Sequence, residues 1–244
     1  MFDRKAGWVL ALSLWLVASW VGCATPPERA PLGPPRTLVL APTRTDARLA
    51  ERFEPGARRL DELIGRLLWE QDNVVYAPPR DEFLALWRAA SQSVLLADGP
   101  SADVDAARYD AAVLALVDAL HARGERFDAL ILPQLTLRPG SVQGHAVMWD
   151  GVTRRLPFAQ RNHDPGFLLS RRGVQAPCTS LRVIAYSDRG ERLFERIGGL
   201  EVAKQVSYER NGSGGRWTDR DDLFADSHAL RDGVEVALQP LLRN

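Results

Sequence analysis

Apolar positions after residue 36 follow two rhythms, one for each half of the chain. In the first half, short continuous apolar runs alternate with stretches whose apolar residues recur every three to four positions. Thr37–Ala41 (TLVLA), Asn73–Ala77 (NVVYA) and Phe127–Leu132 (FDALIL) have the length and composition of buried strands. Pro42 stops the first and Pro78-Pro79 closes the second. A loop carrying Pro55 and Gly56 leads to Leu60, Leu63, Ile64, Leu67 and Leu68, which share one helical face. Gly65 weakens that helix by about 1 kcal/mol against alanine. Phe83, Leu84 and Trp87 mark a second, short helix. A third is capped by Ser101, carried by Val113, Leu114, Val117 and Leu120, and ended at Gly124. The order β-α-β-α-α-β predicts parallel strands joined by helical crossovers.

The second half changes period. Leu130–Leu137 runs to a turn at Pro139-Gly140, and Val142–Trp149 alternates, with Gln143, His145, Val147 and Trp149 on one face. Asp150-Gly151 is a hairpin signal, because a type I′ turn needs positive φ at both central residues; Val152–Leu156 returns from it. Leu181–Ser187, the turn Asp188-Arg189-Gly190 and Glu191–Ile197 make another hairpin, and a glycine-rich loop follows at Asn211–Gly215. Leu223, Leu230, Val234, Ala237, Leu238 and Leu241 give a C-terminal helix that Gly233 and Pro240 divide. The fold class expected is α+β: a mixed sheet with helices packed on it, then antiparallel hairpins and a closing helix. Residues 36–244 read as a single domain with no internal repeat.

Residues 1–22 read differently. Arg4 and Lys5 precede an apolar run from Gly7 to Gly22, broken only by Ser13 and Ser19. The run is shorter than the roughly 20 residues of a spanning helix and has the length of a signal-peptide core. From Thr25 to Pro35 the chain holds Pro26, Pro27, Pro31, Pro34 and Pro35. Such a stretch favours extended polyproline II at about 3.1 Å per residue, so residues 23–35 form a tether.

Composition narrows the classes. The apolar fraction is 45% and the charged fraction 25%, ordinary for a globular fold and wrong for a disordered, collagenous or polytopic membrane chain. Lys+Arg and Asp+Glu both number 31, a balance that argues against a dedicated nucleic-acid binder. Every basic residue except Lys5 and Lys204 is arginine, scattered and matched by acids.

Candidate chemistry is sparse. The chain holds no P-loop, no G-x-G-x-x-G after a strand, no H-E-x-x-H, no C-x-x-C and no G-x-S-x-G. Asp226-Ser227-His228 fails as a triad, because consecutive helical residues project in different directions. Cys178 with His163 is the best nucleophile pair, both lying in the irregular segment 157–178, and His145, His163 and Cys178 have the ligand types of a zinc site without its spacing. Neither makes a catalytic constellation, and no catalytic, cofactor or metal residue is assigned. His121 sits where a helix C-terminus favours its charge. Residues 157–180 present a candidate partner surface: Phe158, Phe167, Leu168 and Leu169 among Arg154, Arg155, Arg161, Arg171 and Arg172, with Trp217 beside the glycine-rich loop.

Trp20-Val21-Gly22-Cys23-Ala24 resembles the lipobox of bacterial lipoproteins, in which a small residue precedes the modified cysteine. The resemblance implies that the Cys23 thiol receives a diacylglycerol and that the amine freed by cleavage is acylated as well, palmitate being a usual chain. Trp20 departs from the pattern, which normally has Leu there. The same residues also suit an ordinary signal peptidase cutting after Ala24. The absence of Asp after Cys23 implies, by the same resemblance, the outer membrane. The order of elements over 36–244 is similar to periplasmic lipoproteins of the curli-secretion and penicillin-binding-protein-activator types, and to the amino-terminal domain of the Tol-system propeller protein. That similarity implies a non-catalytic module that binds or scaffolds an envelope protein partner and meets membrane lipid through acylated Cys23. The alternatives are a subunit of an oligomeric export complex, for which Val142–Leu156 is a hairpin of suitable length, and a secreted cysteine-dependent enzyme.

Overall fold

β1 (Thr37–Leu40) is short and apolar on both faces because it lies in the middle of the sheet with helices above and below. The computed structural model describes residues 36–45, 50–95, 106–159, 173–208 and 215–242, all within one unit, Pro31–Asn244. The signal segment, Cys23, the tether, Ser101, Arg161, His163, Phe167, Leu168, Leu169, Arg171, Arg172 and residues 209–214 lie outside the described residues.

The further elements are β2 (Arg44–Thr45), α1 (Ala50–Trp69), β3 (Val74–Tyr76), α2 (Arg80–Leu95), α3 (Ala106–Ala122) and β4 (Ala129–Gln143). They are followed by β5 (Ala146–Trp149), β6 (Val152–Arg155), β7 (Gln175–Ser187), β8 (Arg192–Val202), β9 (Lys204–Tyr208) and β10 (Gly215–Asp219). α4 (Ser227–Leu238) and a 3-10 turn (Gln239–Leu241) end the chain. The fold is α+β, as the order of elements predicts. β3 and β4 flank β1, both parallel to it. β7 runs antiparallel along the length of β4, from Ala129 opposite Ser187 to Ser141 opposite Gln175. β8 pairs with β7, β5 and β6 extend the other side of β4, and β9–β10 form a separate hairpin.

Alternation along the strands divides the core. Leu38, Leu40, Ile131, Leu135, Leu181 and Val183 face α1 and α4. Val39, Leu130, Leu132, Ile184 and Tyr186 face α2 and α3. Leu116, rather than Leu114, completes the inner face of α3; Leu114 is exposed and lies beside the turn at Gly190. A third cluster, with Val147, Trp149, Leu156, Cys178 and Val206, fills the far end of the sheet.

Several expectations need correction. α1 starts at Ala50 and runs through Pro55 and Gly56, where a loop is expected. The ring of Phe224 lies flush against Gly56 and meets Phe53 edge-on at 5.7 Å, so packing outweighs the two breakers. β3 is an edge strand rather than a buried one: Val74 and Tyr76 are exposed, as is Trp69 just before it. α2 is four turns long, not short.

β4 does not turn at Pro139-Gly140. Its register with β7 is unbroken, and the carbonyl of Ile131 accepts from the Ala41 N–H on the β1 side at 2.9 Å. Odd-numbered residues of β4 therefore aim their backbone polar groups away from β7, so Pro133 and Pro139 cost no ladder bond with it. The turn comes at Gly144-His145, where Gly144 has φ 59° and Gln143 pairs with Ala146. Val142–Trp149 is thus two strands rather than one, and the four residues expected on one face divide: Val147 and Trp149 are buried, Gln143 and His145 exposed. β7 begins at Gln175, so the irregular segment ends before the expected 178, and the last residues of the 157–180 surface belong to a strand.

The Asp150-Gly151 hairpin forms with φ of 38° and 80°. Gly233 does not break α4. It lies directly against the Gly198-Gly199 backbone of β8, and a Cβ on either Gly198 or Gly233 would collide with main-chain atoms of the other element. Pro240 does end the helix, inside the 3-10 turn.

His121 closes α3 with both ring nitrogens facing carbonyl oxygens, Glu125 O at 3.1 Å and Asp188 O at 2.8 Å, and its ring stacks on Phe127. A carbonyl only accepts, so both contacts are satisfied when the ring is protonated. Those carbonyls, with Asp188 and Asp118 nearby, raise its pKa. A basic group raised in the folded state stabilises fully below its unfolded value of about 6.5 and loses that contribution as pH climbs through the higher folded value. His121→Gln is expected to flatten the decline in stability between about pH 6 and about pH 8. Chemical denaturation across that interval checks this, and an unchanged slope in the variant refutes it.

Candidate functional site: a polar cleft at the curled end of the sheet

The far end of the sheet curls until β6 meets β8. Gly199 N–H donates to Asp150 O at 3.0 Å, and Trp149 Nε1 donates to Thr179 O at 3.2 Å while its indole covers Gly199. Arg154 on β6 ties three elements together, donating to Leu200 O (3.2 Å), Ala229 O (2.9 Å) and the Asp232 carboxylate (3.0 Å). Beyond β6 the chain joins β9: Val206 N–H donates to Pro157 O and Ala159 N–H to Val206 O. A cleft of about 630 Å³ opens between these strands, the Arg220–Asp226 connection and the start of α4. His145, Arg155, Phe158, Glu201, Arg220, Asp222 and Asp226 are among its walls.

Glu201 is the unusual member. It is 3% exposed, at the end of a strand whose neighbours Leu200, Val202 and Ala203 are apolar and buried. Its backbone is pinned by Thr179, whose hydroxyl donates to Glu201 O and accepts from Glu201 N–H. Arg220 lies 3.3 Å from the carboxylate as an ion pair, yet no well-formed hydrogen bond reaches either oxygen. Burial pushes the carboxyl pKa up, partly offset by Arg220 and by the Phe224 and Asp226 N–H dipoles. Arg220 also donates to Val202 O at 3.0 Å and to Asp222 at 2.8 Å, and this last bond holds the Asp222 pKa down.

Asp226 caps α4, accepting from His228 N–H and Ala229 N–H at 3.0 Å each, while His228 turns to Asp232. Asp226 is thus a helix cap, which the sequence reading did not assign. Arg155 is exposed on the rim, with no hydrogen bond or ion pair among the described residues. Among the described residues the cleft therefore offers the exposed guanidinium of Arg155, a buried Glu201–Arg220 ion pair beneath its floor, and an apolar wall of Leu156, Pro157 and Phe158. That arrangement can hold and orient a ligand.

Of the expected partner-surface residues, Phe158 and Trp217 pack, half-buried, against the third core cluster, with the His145 ring edge-on to Phe158. Phe167, Leu168, Arg171 and Arg172 lie outside the described residues. Cys178 is not a poised nucleophile. It is fully buried, its Sγ donates to Ala176 O at 3.3 Å and fills the space over Gly140, and burial pushes its pKa up to about 12. The thiolate that a nucleophile or a metal ligand needs is disfavoured there. His145 is exposed at its turn, and among the described residues no three His, Cys, Asp or Glu side chains gather as metal ligands.

Sequence reading placed Arg154 and Arg155 in the region but missed Glu201 and Arg220. The one available signal was a lone charge in the otherwise apolar run Gly198–Ala203. No family model matches the chain, and no curated protein matches it either.

Proposed function

We propose that this chain is a lipid-anchored envelope protein on the periplasmic face of the outer membrane, where it binds or scaffolds a partner without covalent chemistry. The observation that carries this reading is the contrast between its two cysteines. Cys23 follows Gly22 at the end of an apolar run of signal-peptide length. Cys178 is sealed in the core, so a disulfide between the two would need the third cluster to open. An exported Cys23 is therefore left for modification, and acylation supplies about 0.8 kcal/mol per buried methylene, enough with several chains for a firm anchor. The polar cleft supports the binding half of the reading.

Hairpin β5–β6 gives the export-subunit reading no support, because Val147 and Trp149 face the core and Arg154 binds the hairpin to α4. Cys178 gives the cysteine-enzyme reading none.

Palmitate labelling of the exported chain is expected to depend wholly on Cys23, and Cys23→Ala should move the protein from the membrane to the soluble fraction. A thiol reagent should leave Cys178 unmodified until the chain unfolds. Palmitate retained by Cys23→Ala, or a mature chain beginning at Thr25 without acyl groups, overturns the anchor.

A further inference from the structure

We propose that β3 is where a second copy of this chain joins the sheet, in an antiparallel two-fold pairing centred on Val75. This goes beyond the binding reading and depends on neither the anchor nor the cleft. β3 ends the sheet, with β1 as its strand neighbour among the described residues. The Val74 N–H donates to Arg36 O at 2.8 Å on the β1 side, so the N–H and C=O of Val75 point outward. Such an edge is a template for another strand. Three of the six large apolar side chains exposed among the described residues gather here: Trp69 is 71% exposed, Val74 63% and Tyr76 38%. The other three, Leu114, Leu137 and Met148, stand singly on α3, β4 and β5.

Self-complementarity selects a second copy as the occupant. In a two-fold antiparallel pairing, residues equally far from the centre on either side stand opposite one another. With Val75 at the centre, the two Val75 residues exchange both outward hydrogen bonds, and Val74 of each copy stands opposite Tyr76 of the other. These are the close, non-hydrogen-bonded pairs, in which a β-branched and an aromatic side chain pack well. Both pairs lie on one face of the strand. Trp69 belongs to the other face. α1 runs back from the end of β1 to the start of β3, antiparallel to both. A Cβ on Gly65 would meet Leu40 Cδ2 at 3.8 Å, and Leu40 lies two residues beyond Leu38, which is in register with Val75. Two strand residues span about 6.6 Å, or roughly four helical residues, so Trp69 comes level with Val75. The same rotation thus sets the two exposed indoles level with each other beside the axis. Val74–Tyr76 carries no charge, so no charge is placed opposite its own copy. The pairing uses the β3 edge of both copies and closes at two.

The test is sedimentation equilibrium of the full-length chain in density-matched detergent, at fewer than one chain per micelle. Mass should rise from one chain to two with concentration and stop there. Tyr76→Lys should weaken association at least about tenfold, because it removes both cross-strand pairs and puts charge on the edge. Met148→Lys, the same kind of change at an exposed site elsewhere, should leave association unaltered. Register is read by cysteine pairing. Val74→Cys mixed with Tyr76→Cys, oxidised by dissolved oxygen with a copper catalyst, should form a disulfide dimer at least about tenfold faster than either variant alone, since only the mixture sets the two thiols opposite. Cys178 is buried and does not compete. Denaturation midpoints of the dilute single chains should match the parent, showing that each variant folds. One-chain mass at every concentration, association unchanged in Tyr76→Lys, or a mixture no faster than its components overturns the proposal. So does a chain that stays single while a cysteine at position 76 captures a different envelope protein, which would assign the edge to that partner.

Discussion

Gly198→Ala is expected to lower the melting temperature by roughly 6–12 °C. α4 lies on β8 with Gly233 over the Gly198-Gly199 pair, close enough that a Cβ on Gly198 would overlap Gly233 O and come within 3.0 Å of Ala237 N. Both are main-chain atoms inside a helix, so no rotamer change relieves the overlap, and the helix must lift off the strand. Overpacking of this kind costs about 3 kcal/mol, the upper part of the usual range. At this chain length each kcal/mol is worth about 2–4 °C. Gly65→Ala is the internal control: its new methyl meets only Leu40 Cδ2 at 3.8 Å, and it should stabilise α1 by up to about 1 kcal/mol. One chemical change therefore carries opposite signs at two glycines. A Gly198→Ala chain melting within about 2 °C of the parent would show that α4 does not sit on β8 in this way.

Arg220→Met should destabilise by about 3 kcal/mol at neutral pH, at the low end for breaking a buried pair, because it leaves Glu201 without its cation. The methionine keeps most of the stem but loses the bonds to Val202 O and Asp222. Its pH dependence identifies the cause. Burial already raises the Glu201 pKa against the pull of Arg220, and removing Arg220 raises it further. A carboxyl raised in the folded state binds more protons folded than unfolded. Stability is therefore highest below its unfolded value and declines as pH rises through the folded one. The gap between parent and Arg220→Met is expected to narrow as pH falls through about 4, as Glu201 takes up its proton. Adding Glu201→Gln to Arg220→Met should recover part of the loss. Denaturant titrations at the two pH values decide the matter, and a gap independent of pH would assign the loss to packing alone.

How far the sequence discloses this molecule depends on the range of each signal. β1, the inner face of α1 after Leu60 and the Asp150-Gly151 hairpin are local features, written in periodicity or in turn chemistry, and the structure holds them where the sequence places them. The misreadings share one origin: a breaker overruled by something distant. Pro55-Gly56 continues a helix because Phe224 packs on Gly56. Pro139-Gly140 continues a strand because the proline nitrogen faces away from β7 and Cys178 occupies the space above the glycine. Gly233 reads as a break in α4 and is instead its point of contact with β8. The cleft was legible only in part. Its walls come from β6, β8, β9 and the connection to α4, so no spacing announces it, and only the charge of Glu201 inside an apolar run hints at an unusual surrounding.

The free margins of the sheet are defended unequally. Along the first half of β8, Arg192, Glu195 and Arg196 present charge to any incoming chain and discourage it from adding on. β3 has no such guard, for Val74 and Tyr76 stand open beside Trp69. Among the described residues, β3 is the less guarded of these two margins for another polypeptide to extend. There it finds three residues of ladder before Pro78 and Pro79 interrupt, a foothold too brief for runaway stacking.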